Sequence, residues 1–176
     1  MKLLKKDPYT GLSFLCILKT RIKGRYRIMP SPVLHYAELM QKEITPQIIS
    51  DLDHLAPQLT SNPIPITEEL LNRIFMSGTR LFAAYDATRL VGVVLLSRVV
   101  ILIGQKDWIE DVVVDSEYRR LGIASRLLDM AEEASKQRKP ERQLNLTSKT
   151  TRSDALKMYS DRGYKIRVVV VLRKTF

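Results

Sequence analysis

The 176-residue sequence holds one cysteine, two histidines, one tryptophan and seven glycines. The lone Cys16 cannot close an internal disulfide, which excludes the small disulfide-stapled classes and fits a reducing compartment. His35 and His54 have no cysteine, aspartate or glutamate at a spacing that names a metal site, so no metal is expected. Asp51, Asp53 and His54 read instead as the outer side of an amphipathic helix. Repeats, low-complexity tracts and a collagen-like glycine period are all missing. So is any apolar run near the ~20 residues that span a bilayer. The longest, Leu90 to Ile103, is broken by Arg98. The shorter run Leu12 to Leu18 imitates the start of a secretory leader, but Lys19, Arg21 and Lys23 interrupt it and no small-residue cleavage site follows. Neither export nor a membrane span is expected, and the expected location is the cytoplasm.

What is present is ordinary globular composition, 45% hydrophobic and 27% charged, in about one domain's length of chain. The net charge of +10 is unevenly placed. Residues 1–28 carry eight cations against the single Asp7, a net of +7, so the remaining 148 residues are nearly balanced. The division expected is a basic N-terminal arm over 1–32, of uncertain order, and one folded domain over 33–176. The arm is the place where an anionic surface or RNA would be touched.

Periodicity and punctuation predict an α+β fold. A strand is expected over Val33–Lys42. Thr45-Pro46 opens a helix whose Ile48, Ile49, Leu52, Leu55 and Leu59 share a face. Thr67 starts a second helix through Phe75. Strands Arg80–Tyr85 and Leu90–Ile103 form a hairpin, and a turn at Gly104–Asp107 leads to a strand over Trp108–Val114. A helix from about Gly122 to Gln137 follows, then a strand Arg142–Thr147. A short helix Ser153–Arg162, with Ser153 as N-cap and Gly163 as left-handed C-cap, precedes a final strand Tyr164–Arg173.

The stretch Ile109-Glu110-Asp111-Val112-Val113-Val114-Asp115-Ser116-Glu117-Tyr118-Arg119-Arg120-Leu121-Gly122-Ile123-Ala124 carries the chemistry. An apolar strand ends, a polar turn follows, and a helix begins at a glycine. The first N–H groups of a helix lack internal partners and favour an anion. Gly122 lets a ligand oxygen approach the main chain, Ala124 keeps the next position small, and Arg119 and Arg120 add positive charge. That is a receptor for a diphosphate.

Here the sequence resembles the GNAT superfamily of acyl-CoA-dependent N-acyltransferases. The family signature Arg/Gln-x-x-Gly-x-Gly/Ala is matched by Arg119, Gly122 and Ala124. The later element Ala-x-x-x-Tyr-x-x-x-Gly-Phe/Tyr is matched by Ala155, Tyr159, Gly163 and Tyr164. The likeness covers roughly residues 33–173. It implies a mixed, mainly antiparallel sheet with splayed central strands and about four helices. It implies acetyl-CoA as co-substrate, held by the main chain of Arg120, Leu121, Gly122, Ile123, Ala124 and Ser125 and running along Val112, Val113 and Val114. The main-chain N–H of Val112 or Val113 would be the oxyanion donor. Tyr159 matches the family's usual acid. Arg152 stands where the family often has an asparagine that contacts the cofactor; a cation there can still approach its phosphates, as can Lys149.

An attacking amine must lose a proton, and Glu110 or Asp111 is placed to take it. Strict alternation along the strand would let only one of them face the cleft, and Glu110 is favoured. The activity expected is acetyl transfer from acetyl-CoA to a primary amine by direct attack in a ternary complex. The expected partner is a small-molecule amine, with no membrane or nucleic acid, and a homodimer is left open. The competing readings are transfer to a protein or peptide amine, and a non-catalytic module that binds CoA or contacts RNA through the basic arm.

Overall fold

The computed structural model describes residues 18–22, 25–29, 32–137, 143–168, 170 and 172–175. Cys16, most of the basic arm, Pro140 and the expected strand start at Arg142 lie outside the described residues. Leu18–Ile22 (β1) and Arg25–Met29 (β2) pair antiparallel as a separate two-stranded ribbon. The main sheet has five strands in chain order. They are Leu34–Leu39 (β3), Arg80–Asp86 (β4), Arg89–Ile101 (β5), Gly104–Val114 (β6) and Gln143–Leu146 (β7). β3 to β6 pair antiparallel, and β7 pairs parallel with β6.

The parallel step requires a crossover, supplied by the helix Ile123–Lys136 (α3). Pro46–Leu59 (α1) and Glu68–Met76 (α2) precede β4, and Ser153–Asp161 (α4) follows β7. The expected α+β class is the observed one. Capping chemistry sets the helix starts: Thr45 Oγ1 accepts from the Ile48 N–H at 3.3 Å, and Thr67 Oγ1 from the Leu70 N–H at 3.1 Å.

Buried side chains form two layers, one on each face of the sheet. On one face Ile123, Leu127, Leu128, Ala131 and Ala134 of α3 pack with Val91, Val94, Leu96, Ile109 and Val114. On the other Leu52 and Leu55 of α1 and Leu71 of α2 pack with Leu81, Val93, Leu95 and Val113. A Cβ on Gly92 would lie 3.1 Å from the Val113 carbonyl oxygen and 3.3 Å from Ile123 Cγ2, so the absence of a side chain lets the start of α3 close onto β5.

Several expectations are corrected. Asp51 is not on an outer face. Its buried carboxylate accepts the Leu90 N–H at 2.9 Å, fastening α1 to the first residues of β5. β3 stops at Leu39, and a short 3-10 turn over Gln41–Glu43 follows. β6 starts at Gly104, so the hairpin turn falls on Leu102-Ile103, and both side chains are exposed. Ser153 is the first residue of α4, and Arg152 takes the cap position without a side-chain capping bond to the helix. Gly163 does end α4 in the left-handed conformation, φ +88°, with the Tyr164 N–H on the Tyr159 carbonyl at 3.1 Å. None of the described residues after Tyr164 lies in a strand, contrary to the expected final strand.

Replacing Gly92 with Val will crowd this contact and cost about 1–3 kcal/mol of stability. Urea unfolding monitored by circular dichroism checks it, and an unchanged midpoint would contradict the packing described.

Candidate active site

The central feature is a break in the sheet. β6 and β7 are in register from Lys106 opposite Gln143 to Ile109 opposite Leu146, and there their pairing stops. On its other side β6 stays paired with β5 through Val113 and Val114. Among the described residues, no strand therefore lies beside one edge of the β6 main chain beyond Ile109, as the splayed arrangement requires.

A second irregularity sits at the same place. Glu110 is opposite Leu95 and Val113 is opposite Val93, so Asp111 and Val112 together face the single residue Val94. This is a β-bulge, and Asp111 takes φ +49° within it. One extra residue reverses the facing of the residues after it. Ile109 and Val112, three apart, both pack toward α3, while Val113 packs toward α1 and α2. The simple alternation used to choose between Glu110 and Asp111 is thus broken. Glu110 lies ahead of the bulge, in register with Leu95, whose side chain belongs to the α1–α2 layer.

Both carboxyl groups titrate above their ordinary range. Each side chain keeps an exposed portion, yet partial burial raises the Glu110 pKa, and the Asp111 charge raises it further. Burial alone raises that of Asp111. A carboxylate shifted upward is a better proton acceptor near neutral pH.

Directly after β6 comes Asp115, which sequence reasoning passed over. Its side chain is almost wholly buried. One oxygen lies 2.8 Å from Arg89 Nη2 and 3.2 Å from His54 Nε2; the other accepts the Glu117 N–H at 3.1 Å. Its main-chain N–H donates to the Val91 carbonyl at 2.9 Å. Tyr118 then donates its hydroxyl to Asp86 at 2.9 Å. Gln58 of α1 adds a second tie: its Oε1 accepts both the Ser116 N–H and Arg119 Nη2 at 3.0 Å. Arg119 also donates from Nε to the Val114 carbonyl at 3.2 Å. The signature arginine thus pins the loop to α1 through its side chain. The only sequence signal for this network was the polar spacing Asp-x-Glu directly after an apolar strand.

The loop next turns back on itself. Arg120 has φ +67° and Gly122 φ +78°, and Gly122 is the cap from which α3 departs. No atom lies within 4 Å of a Cβ built on Gly122, so the glycine serves conformation and leaves open space before the helix. Leu121 and Ile123 anchor the turn in the α3-side core, with Ala124 beside them. The N–H groups of Ile123, Ala124 and Ser125 occupy the first turn, where no helical acceptor exists. Beside them is a hollow of about 330 Å³ lined by Arg120, Ser125, Asp154, Lys157, Met158, Asp161 and Arg162. Arg120 reaches Asp154 across it at 2.7 Å.

α4 supplies the remaining expected residues. Tyr159 is buried against the α3 layer, edge-on to Tyr164 with ring centroids 5.8 Å apart. Burial raises its pKa and the Arg152 charge partly opposes this, so the phenol stays protonated at neutral pH. Arg162 fixes α4 on α3, donating from Nε to Glu132 at 2.8 Å. Arg152 donates to the Leu59 carbonyl at 3.1 Å, joining the start of α4 to the end of α1. Val112, Val113, Val114 and the 119–125 loop are consecutive along one path. Glu110 precedes that path, while Tyr159 lies on α4 and Arg152 stands at its cap.

Sheet order, the parted parallel strands, the bulge and the glycine-capped helix together define an acyltransferase fold. The chain belongs to the GNAT acetyltransferase family: the model of the acetyltransferase (GNAT) domain matches residues 53–170. Among solved structures, an acetyltransferase from Trypanosoma brucei is 21% identical with a TM-score of 0.66, covering 81% of this chain and 99% of its own. An aminoglycoside acetyltransferase from an uncultured soil metagenomic sample is 19% identical with a TM-score of 0.69, over 81% of this chain and 97% of its own. An aminoglycoside 6'-N-acetyltransferase from Acinetobacter baumannii is 17% identical with a TM-score of 0.63, over 81% and 99%. No curated protein matches the chain.

The bulge carboxylate gives a pH prediction. Because the folded chain raises the Asp111 pKa, it binds that proton more tightly than the unfolded chain does. Stability from this group is thus full below the ordinary carboxylate pKa near 4 and falls as pH rises above it. Asp111→Asn will raise the melting temperature at about pH 7, and the gain will vanish near about pH 3. Melting curves that gain nothing at neutral pH would contradict the assignment.

Proposed function

We propose that the protein is an N-acetyltransferase that moves the acetyl group of acetyl-CoA to a primary amine by direct attack in a ternary complex. The observation that carries this reading is the parting of β6 from β7 after Ile109 directly ahead of the Gly122-capped helix. A pantetheine arm has amide groups that can pair with an unfilled strand edge, and here that edge is the main chain of Val112, Val113 and Val114. Its diphosphate suits the first amides of α3, over Arg120, Leu121, Gly122, Ile123, Ala124 and Ser125. Arg119 contributes through its main chain and by holding the loop. Arg152 and Arg120 are the cations free to exchange a protein partner for a phosphate oxygen.

In the reaction the neutral amine nitrogen attacks the thioester carbonyl carbon. The carbonyl oxygen gains charge and accepts a hydrogen bond from the main-chain N–H of Val112 or Val113, a donor worth about 3 kcal/mol. The amine proton passes to Glu110, directly or through one water. As the C–S bond breaks, the leaving sulfur takes the proton of the Tyr159 hydroxyl. Tyrosine is the weaker acid of the two, ~10 against ~8.5, so the transfer relies on close placement. Glu110 lies ahead of the bulge in register with the α1–α2 layer, the side on which an acceptor wall over 46–77 would stand.

The acceptor we assign to small-molecule amines, the substrate class in the names of the soil and Acinetobacter relatives. A cytoplasmic setting goes with the single cysteine. The test is release of CoA thiol from acetyl-CoA across a panel of amino sugars, aminoglycosides, polyamines, amino acids and lysine peptides. Turnover confined to the non-peptide amines is expected, and turnover on peptides alone would replace the acceptor class.

Two substitutions test the roles. Tyr159→Phe will lower kcat more than ~10-fold while acetyl-CoA binding by calorimetry stays unchanged. Unaltered turnover would remove the phenol from the reaction. Glu110→Gln will lower kcat/KM about 100-fold and flatten the acid limb of its pH profile, since that limb reports the upward-shifted carboxylate. A preserved acid limb would assign the base elsewhere.

A further inference from the structure

The β5–β6 hairpin outruns the rest of the sheet. β4 begins opposite Leu96 and β7 opposite Lys106, so among the described residues the ribbon beyond them has no strand on either side. There Val99, Val100 and Ile101 pair with Lys106, Gln105 and Gly104, around a turn at Leu102-Ile103. A Cβ built on Gly104 would meet no atom within 4 Å, so the tip stands in open space. Turns are ordinarily polar, yet this one sits in a run of consecutive apolar residues from Val99 to Ile103. Val100, Leu102 and Ile103 are 68%, 107% and 89% exposed, and Val99 and Ile101 are exposed as well. Successive strand residues face opposite ways, so Val99 and Ile101 mark one face of the ribbon and Val100 the other. The apolar surface wraps the tip.

Charge at the base of the tip has one sign. From residue 98 to 106 the only charged side chains are Arg98 and Lys106. The next carboxylate, Asp107, is wholly buried, accepting from Ser135 Oγ at 2.8 Å and Arg98 Nε at 3.4 Å. Beside that serine, exposed Lys136 closes α3 at the same end of the sheet. The chain as a whole carries +10.

We propose that this tip inserts into the surface of an anionic lipid bilayer. Leu102 and Ile103 enter the acyl boundary, Val99, Val100 and Ile101 follow, and Lys106 and Lys136 meet the anionic headgroups. A protein groove would cover one face of a ribbon, whereas a bilayer takes up both faces and the turn together. The depth agrees. Lys106 lies three residues past Ile103, about 10 Å along an extended strand, and apolar faces enter the headgroup boundary by about 5–10 Å. The sequence has no spanning run, and a surface contact needs none. Val112 is nine residues from the turn, roughly 30 Å along the strand, so the gap proposed for the donor stays clear of the lipid. The inference is independent of the acetyl-transfer reading.

Flotation of the full chain with phosphatidylcholine vesicles holding about 30% phosphatidylserine tests it, at about 0.15 M and about 0.5 M salt. The wild type is expected to float at both, more weakly at high salt, because apolar insertion is not screened. The double variant Leu102→Asp/Ile103→Asp changes side chains open to solvent, so its circular dichroism will match the wild type. Its vesicle affinity is expected to fall at least ~100-fold. Met76→Asp, at an exposed apolar residue on α2, will float like the wild type. An environment-sensitive fluorophore on Leu102→Cys, with the sole cysteine removed by Cys16→Ser, is expected to shift to the blue on vesicles. Four results would overturn the proposal. They are a wild type that never floats, a double variant that floats unchanged, a label that does not shift, or a lipid-free wild type at twice the 20.3 kDa chain mass that the double variant returns to 20.3 kDa. The second and third would give vesicle binding to the basic arm, the fourth would give the tip to a second copy of the chain.

Discussion

One extra residue in β6 sets the terms for the whole candidate site. The bulge at Asp111 and Val112 turns the strand so that Val112 packs toward α3 and Val113 toward α1 and α2. It falls just where β7 stops following β6. A bulge bends its strand and increases local twist. The free main-chain edge and the two carboxyl groups whose pKa burial raises, Glu110 and Asp111, lie at the same place as that irregularity.

The loop after β6 is held from the α1 side. Asp115 gathers Arg89 and His54, Gln58 takes both Ser116 and Arg119, and Arg152 reaches the last carbonyl of α1. A nearly buried carboxylate is tolerable only when paired, and the Arg89 guanidinium, the His54 ring nitrogen and a main-chain N–H meet that need. The wall proposed for the acceptor and the loop proposed for the donor phosphates are therefore joined by short polar contacts. Each of these two proposed surfaces rests partly on residues that belong to the other.

Much of this was legible in the chain. Helix starts at Thr45 and Thr67, the left-handed stop at Gly163 and the Gly122 cap follow from local rules about orphan amides and positive φ, and the structure has them. The mainly antiparallel sheet with parted central strands follows from the resemblance carried by the family motifs. Four things were not legible, each for a physical reason. The bulge leaves no mark in composition, because Glu110-Asp111-Val112 is compatible with plain alternation until the pairing with Val94 is known. The roles of Asp51 and Asp115 depend on partners 39 and 26 residues away, Leu90 and Arg89, which no local pattern announces. The segment after Tyr164 has strand composition, but a strand exists only where a neighbour accepts its hydrogen bonds. Apolar residues at the Leu102-Ile103 turn misled the boundary because turns are ordinarily polar.

The central claim is that the unfilled β6 edge and the first amides of α3 receive the thioester donor. Hydrogen exchange with and without acetyl-CoA measures this directly, since each proposed contact is a main-chain N–H. Slowed exchange concentrated at 110–114 and 120–125 is the expected result. No change at those amides under saturating donor, or slowing confined to another part of the sheet, would contradict the account.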